Sequence, residues 1–576
     1  MPSLLTRGQK RLLSLLLALG LYILANSAYL VVSQPREEVL PVFYQVMLLS
    51  HLAVGGLLLV LATVFIFWHL RRVKALWHRS AAASGGGLAL AVYLLFASGI
   101  FILSEANSLQ HRWIFWSHRI LAVLAPAVYV THRLVSHFRP APRALARAGL
   151  VFAGLLLLMV GFHHSTLPDD PIRVWEAGGE TYAAAGDPFI PFEPDNYPDP
   201  SSPFWPSRTT TDSGNYFPAR IITRNERGDF ERIRADVERL GFAATTALGA
   251  QTCARCHAEI VAQWKRSAHR FASFNNPLYR ASVERFRKER GKKASQWCAG
   301  CHDPAIMLAG NMEKEIDPLT PESQAGLTCL ACHAIESIHG IEGNGGYHIA
   351  DERPSPYLFD TDSSGLGRAT ADLLIKSKPT VHKRQMLKPF FRDPVFCSAC
   401  HKVSLDVPVN GYRYLRGQDE FDASLSSGVA HGSAGTFYLP DQPKNCQECH
   451  MPRVEARLPD VSAKAGKVRS HLFLAVNDAL PFLRGDPEMR EQIYAFLRDR
   501  KLRIDVFALQ RTRDGARVLA LDRAKPVLVE GEEVVFEVVV RTVGVGHTFP
   551  GGTNDSNEAW VELTISDERG NTLGRR

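Results

Sequence analysis

Cys253-Ala254-Arg255-Cys256-His257, Cys298-Ala299-Gly300-Cys301-His302, Cys329-Leu330-Ala331-Cys332-His333, Cys397-Ser398-Ala399-Cys400-His401 and Cys446-Gln447-Glu448-Cys449-His450 together hold all ten cysteines of this 576-residue chain. Each is a Cys-x-x-Cys-His pentapeptide, the pattern of covalent c-type haem attachment. The two thiols become thioethers to the macrocycle, and the adjoining His reaches the iron as proximal axial ligand. Paired cysteines three apart also suit disulfides and zinc knuckles, but neither requires a His after every second cysteine. The motifs predict five c-type haems, in a compartment such as the periplasm where paired thiols would otherwise oxidise.

A chain of this length exceeds one compact core, so several domains are expected. Charge divides them unevenly. Residues 1–164 carry +11 and the remainder −3. The positive charge sits beside apolar runs rather than on a soluble face, which excludes nucleic acid as a partner.

Five apolar stretches, at 11–33, 42–70, 87–104, 119–137 and 148–163, are each near the ~20 residues a spanning helix needs. Arg7, Lys10 and Arg11, then Arg71, Arg72, Lys74 and Arg79, then Arg133, Arg139, Arg143 and Arg147 flank one side. The other side has only Arg36, Arg112 and Arg119. By the positive-inside rule the N-terminus is cytoplasmic, and five spans deliver everything after His164 to the periplasm of a bacterial inner membrane. The alternative for the first stretch is a signal peptide cleaved near Ala25-Asn26-Ser27, which leaves the downstream topology unchanged.

Histidines punctuate these spans. His51 and His69 lie 18 residues apart on the second, five turns and one face. His118 and His132 lie 14 apart on the fourth. His51 can meet His118 near the periplasmic side and His69 can meet His132 near the cytoplasmic side, with Gly55, Gly56 and Ala62 making room for a flat macrocycle. Paired imidazoles from neighbouring helices are how a bundle holds b-type haem, so two b haems are one reading, with a quinol site to follow. The other reading is that these side chains sit at helix ends and reach for the headgroups. The unequal spacings, ~27 Å against ~21 Å of rise, leave His111 and His137 open as substitutes.

Residues 165–224 are rich in Pro, Asp, Ser and Thr and read as an extended linker. Residues 225–500 form the haem region, with short helical signals at Ala258 to Phe274 and Pro487 to Arg500. Haem supplies apolar core there that side chains would otherwise build. Low-spin haems want a second axial ligand, and His269, His339, His348, His382, His431, His471 and His547 are spare, besides His163 and His164 at the membrane edge. His269 stands out, one short helix after the first motif in Trp264-Lys265-Arg266-Ser267-Ala268-His269. Met307 and Met451 are further sixth-ligand candidates.

From about 501 the pattern turns strand-like, as in Val534-Val535-Phe536-Glu537-Val538-Val539-Val540 and Ala559-Trp560-Val561-Glu562-Leu563-Thr564-Ile565. Five or six such signals read as a partial antiparallel β-sandwich, one that looks unfinished at Arg576. The loop Val545-Gly546-His547-Thr548-Phe549-Pro550-Gly551-Gly552 either brings His547 to a haem edge or is an ordinary Gly/Pro turn. The predicted architecture is therefore multidomain: an all-α transmembrane bundle (1–164), the linker (165–224), a mostly α and irregular, haem-packed pentahaem domain (225–500) and a partial β-sandwich (501–576).

The Cys253 to His269 unit, Ser273-Phe274-Asn275-Asn276-Pro277, Trp297-Cys298-Ala299-Gly300-Cys301-His302-Asp303-Pro304 and Cys446-Gln447-Glu448-Cys449-His450-Met451-Pro452 resemble the multihaem cytochromes c that include cytochrome c554 and the hydroxylamine oxidoreductase-like proteins. The Gly546 to Pro550 loop resembles multihaem proteins with an appended β-domain. The resemblance covers 225–576 and not the membrane spans. It implies closely stacked bis-His haems forming an electron wire. The leading expectation is a membrane-anchored cytochrome that moves electrons between membrane quinol or quinone and a periplasmic redox protein, with membrane lipid around its spans. The alternative is an oxidoreductase acting on a small nitrogen or sulfur compound at an open haem. All five motifs end in His, unlike the Cys-x-x-Cys-Lys motif of pentahaem nitrite reductases, and nothing marks Tyr347, Tyr412 or Tyr414 as the cross-linking Tyr of hydroxylamine oxidoreductases. No catalytic residue is assigned.

Overall fold

The computed structural model describes residues 5–34, 40–73, 79–105, 108, 111–136, 142–166, 210–211, 250–308, 311–338, 341, 343–349, 357–358, 365–405, 414–433, 440–553 and 556–576. Most of the expected linker, with His137, His339 and Tyr412, lies outside these residues.

Five long helices open the chain: α1 (Arg7–Val32), α2 (Val42–Val73), α3 (Arg79–Glu105), α4 (Arg112–Val135) and α5 (Pro142–Ser165). All five are long and apolar enough to cross a membrane. Thr6 starts α1 with a capping box, its hydroxyl accepting from the Gln9 N–H while the Gln9 side chain accepts from the Thr6 N–H. The helix then runs unbroken through Ala25 and Asn26, both fully buried. Side chains such as Val123, Leu150 and Leu158 point outward with more than 70% exposure, the arrangement a lipid solvent favours. α1 packs on α2 and α5, and α3 packs on α4.

Among the described residues the haem region has no comparably long element. Its helices include α6 (Ala258–Trp264), α7 (Gly365–Ser377), α8 (Pro379–Met386) and α9 (Pro487–Arg498). The helical signal at Ala258 to Phe274 resolves into α6 and a 3-10 turn at Ala268–Phe271, which carries His269. A buried core of Phe274, Val283, Ile306, Met307 and Ile349 lies beside the second and fourth motifs.

Three short hairpins interrupt a region expected to be helical or irregular. β2 (Ile335–Ile338) pairs with β3 (Tyr347–Ile349), β4 (Lys402–Leu405) with β5 (Leu415–Asp419), and β6 (Arg453–Glu455) with β7 (Lys467–Arg469), all antiparallel. Each starts within three residues of a motif histidine, at His333, His401 and His450. Strands of three to five residues carry too little alternation to be read from sequence. The only described linker strand, β1 (Thr210–Thr211), runs parallel to β3 with Thr210 opposite His348.

Beyond Arg500, β8 (Leu502–Arg511), β9 (Arg517–Leu519) and β10 (Val534–Thr542) form an antiparallel sheet in the order β10-β8-β9. β11 (Thr564–Ser566) and β12 (Thr572–Arg575) form a separate hairpin. A second sheet facing the first is not formed among the described residues, so the expected sandwich is here a sheet and a hairpin. The run from Ala559 becomes strand only at Thr564, and Trp560 remains exposed.

Glu259 fastens α6 to the segment after β6. Its buried carboxylate accepts from Gln263 Nε2 (2.7 Å) and from the N–H groups of Arg457 (2.9 Å) and Leu458 (2.8 Å). Glu259→Ala leaves those donors without an acceptor and is expected to cost about 1–3 kcal/mol. Denaturant unfolding followed by Soret absorbance checks this, with Glu259→Gln costing less because an acceptor remains.

Candidate haem-ligand site

Each motif folds as a helical turn, which places its cysteines at i and i+3 and its histidine at i+4 on one face. The turns begin on local caps where the sequence supplies them. Thr328 caps Ala331 N, Asp393 caps Val395 N, and Asn445 forms a capping box with Glu448.

All five motif histidines direct Nδ1 to an oxygen. His257 meets Asp460 Oδ1 (3.1 Å), His302 the Ala272 carbonyl (3.0 Å), His333 the Met386 carbonyl (2.6 Å) and His450 the Leu474 carbonyl (2.8 Å). His401 Nδ1 lies 3.8 Å from Glu420 Oε2. For the four that are hydrogen-bonded, His257, His302, His333 and His450, the partner fixes the tautomer and leaves Nε2 to a metal.

Two axial imidazoles on one iron hold their ring centres a fixed distance apart. Metal–nitrogen bonds of ~2.0 Å and the ~1.15 Å from each nitrogen to its ring centre give about 6.3 Å. His257 and His382 are 6.4 Å apart with ring planes 16° from parallel. His269 and His401 are 6.2 Å apart at 65°, and His450 and His547 are 6.2 Å apart at 14°. His471 lies within electrostatic reach of His333 and turns its own Nδ1 to the Arg469 carbonyl (3.0 Å). These residues fit axial ligation of the haems that the motifs imply. Burial and then the neighbouring imidazoles pull His269 down to about 3, and burial pulls His382 and His471 down to about 4. A ligand must be neutral, and these side chains are held so.

The other spare groups are placed differently. His431 Nε2 is held by the Pro440 carbonyl (2.6 Å), and His348 is buried in β3. Met307 is buried in the core beside the second motif, and Tyr347 spends its hydroxyl on the Gly300 carbonyl (2.6 Å). His302 stacks on Tyr279, ring centres 4.4 Å apart, and faces no second imidazole among the described residues.

The motifs adjoin in a definite order. Cys253 lies against Cys329, Cys332 near Cys400, Cys400 against Cys301, and Cys397 against Cys446. The first motif thus neighbours the third, the third neighbours the fourth, and the fourth neighbours both the second and the fifth. Glu420 braces the far end, because its Oε1 accepts the Gly552 N–H (2.5 Å) while its Oε2 faces His401. That bond holds the loop that carries His547. A Cβ at Gly551 would stand 2.9 Å from the His547 ring, so any other residue there would displace that ring.

Within the bundle, His51 and His118 have ring centres 6.4 Å apart at 69°, and His69 lies within electrostatic reach of His132. These pairs span the gap between the α1–α2–α5 group and the α3–α4 pair. Gly55 faces Ile23 of α1 rather than an imidazole. The glycines that abut the rings are on α3. Ser98 Oγ meets His118 Nδ1 at 3.0 Å and Ser84 Oγ meets His132 Nδ1 at 3.0 Å. A Cβ at Gly99 or Gly85 would press to 3.1 Å or 3.0 Å from the respective ring. Sequence reading missed this, although Ser84-Gly85 and Ser98-Gly99 repeat at the same 14-residue spacing as the two histidines. His111 instead packs edge-on against Phe101.

The family model for cytochrome c554 and c-prime matches residues 252–334. Among solved structures, a penta-heme cytochrome c552 from Thermochromatium tepidum is similar at 18% identity, covering 58% of this chain and 74% of that one with a TM-score of 0.32. No curated protein matches the chain. Residues 252–334, which hold the first three motifs, are thus similar to the cytochrome c554 and c-prime family.

Asp460 is the most heavily bonded of the histidine partners. Its fully buried carboxylate accepts from Ser462 N (2.9 Å), Ser462 Oγ (2.6 Å) and Ile260 N (3.3 Å) as well as facing His257. Burial would lift the carboxyl, but the bonds from His257 and Ser462 outweigh it and hold the group below the usual carboxylate range. An anionic partner makes the imidazole a stronger donor and favours the ferric iron. Asp460→Asn is expected to raise one c-haem midpoint by about 60 mV for each tenfold loss of ferric preference, with the others unmoved, in a spectroelectrochemical titration.

Proposed function

We propose that this protein is a membrane-anchored cytochrome that carries electrons between the quinone pool and a periplasmic redox partner through five c haems, with two b haems in its membrane bundle. The observation that carries the reading is the repeated imidazole pairing at 6.2–6.4 Å, three times in the haem region and once between α2 and α4. A haem with both axial positions filled exchanges single electrons and has no position for substrate. The order of motifs gives those electrons a continuous route.

The bundle supports b haem through its own residues. His118 and His132 are clipped by Ser98 and Ser84, and Asn26 Oδ1 lies 3.1 Å from His51 Nδ1. In each case the bond at Nδ1 leaves Nε2 for iron. The positive-inside pattern supports an inner-membrane location with the haem region in the periplasm.

A second reading, an oxidoreductase for a small nitrogen or sulfur compound, is favoured by one observation. His302 lacks an opposing imidazole among the described residues, which leaves that iron as the place where a small ligand would bind. Nitrite, hydroxylamine or cyanide would then shift a high-spin signal in the resting protein, whereas five closed c haems would leave the spectrum unchanged.

A pyridine haemochrome spectrum of the purified full chain tests the main reading, with a c-to-b ratio of five to two expected. Absence of b haem would reduce the bundle to an anchor. Gly99→Leu drives a side chain into the His118 ring and is expected to lower the ratio to five to one, the c content unchanged.

A further inference from the structure

The segment that carries His382 is built into the periplasmic mouth of the membrane bundle. Tyr357, Leu374 of α7 and Val381 of α8 share one buried core with Tyr29 of α1, Tyr44 of α2 and Met159 of α5. Leu374 is fully buried and Val381, next to His382, is 1% exposed. Polar contacts fix the seat from three sides. Gln45 Oε1 accepts the Leu358 N–H (2.6 Å), Lys376 Nζ donates to the Ser104 carbonyl (2.9 Å), and Lys378 Nζ stands 5.0 Å over the Tyr44 ring. Burial pulls Lys378 down to about 8, which shows how closely the two surfaces meet.

The same segment is tied to the first motif. Arg255 NH1 pairs with Asp372 Oδ2 of α7 at 2.8 Å, and the His382 ring faces His257. On the membrane side, Tyr44 and Met47 of α2 lie seven and four residues before His51, on one helix face. Asn26 joins Met47 to His51, donating to the Met47 carbonyl (2.9 Å) while its Oδ1 meets the His51 ring. A run of packed side chains therefore leads from His51 through Met47 and Tyr44 to Lys378, Val381 and His382.

We infer that electrons cross between the membrane bundle and the soluble haems at this α7–α8 junction, with His257 and His382 holding the first acceptor. The inference rests on the electron-transfer reading and adds to it the place of crossing. One electron would cross at a time, from the donor that the bundle would hold, oxidising it, to the haem that His257 and His382 would hold, reducing it, with no bond made or broken. A quinol supplies two electrons and releases two protons outside the junction. Beyond it, the adjacency of motifs passes the electron to the third, then the fourth, then the fifth, with the second as a side branch.

The test uses the full chain in lipid nanodiscs, mixed with a ubiquinol or menaquinol analogue while c-haem reduction is followed in the α-band. His382→Met keeps a sixth ligand but changes the junction haem, and Leu374→Glu loosens the seat without touching a ligand. Quinol-driven reduction of the c haems beyond the junction is expected to slow at least tenfold in both, while dithionite reduces those haems of Leu374→Glu at the wild-type rate. Leu374→Glu is also expected to retain the wild-type haem spectrum; if it does not fold, His382→Met decides. A quinol-driven rate within twofold of wild type in His382→Met, or in a folded Leu374→Glu, overturns the junction and leaves electron transfer standing. A wild-type protein that neither quinol analogue reduces overturns both.

Discussion

An iron with two axial imidazoles demands that two histidines, distant in sequence, stand about 6.3 Å apart on opposite faces of a flat macrocycle. Three pairs of histidines in the haem region stand at that spacing. His257 finds His382, His269 finds His401, and His450 finds His547 in the loop after β10. Each pairing pins segments that lack long helices or large sheets of their own. The β-domain is thereby tied to the haem region through His547 and through the Glu420 bond to Gly552.

The constraint also explains where the chain spends its buried polar groups. Asp460 and the carbonyls of Ala272, Met386 and Leu474 each hold Nδ1 of a motif histidine, and Glu420 places a carboxylate 3.8 Å from the fifth, His401. Two of the five partners are carboxylates and three are carbonyls, so the irons are not equivalent in their electrostatic surroundings. In the bundle, hydroxyls of Ser84 and Ser98 take the same role, since an uncharged partner is cheaper to bury in lipid.

The motifs and the five apolar helices were legible because each rests on a local pattern: a pentapeptide or an apolar run. The partnering of His257 with His382 was not, because pairing is a long-range property that spacing does not encode. The hairpins after His333, His401 and His450 were missed because their strands are too short to alternate visibly. Of the expected β-sandwich the described residues show an antiparallel sheet and a hairpin: the β-prone residues around Trp560 do not extend the sheet, and packing, not propensity, decides such cases. The α7–α8 seat on the bundle was invisible for a similar reason, since Leu374, Val381 and Tyr44 are unremarkable until the fold joins them.

The imidazole geometry can be measured directly by low-temperature EPR of the fully oxidised protein. Near-parallel axial rings give an ordinary rhombic low-spin signal, whereas strongly crossed rings give a highly anisotropic one with a large maximal g value. The account predicts rhombic signals from the His257–His382 and His450–His547 haems, and large-g signals from the His269–His401 and His51–His118 haems. Spectra dominated by high-spin iron, or by methionine-ligated low-spin iron, would contradict it.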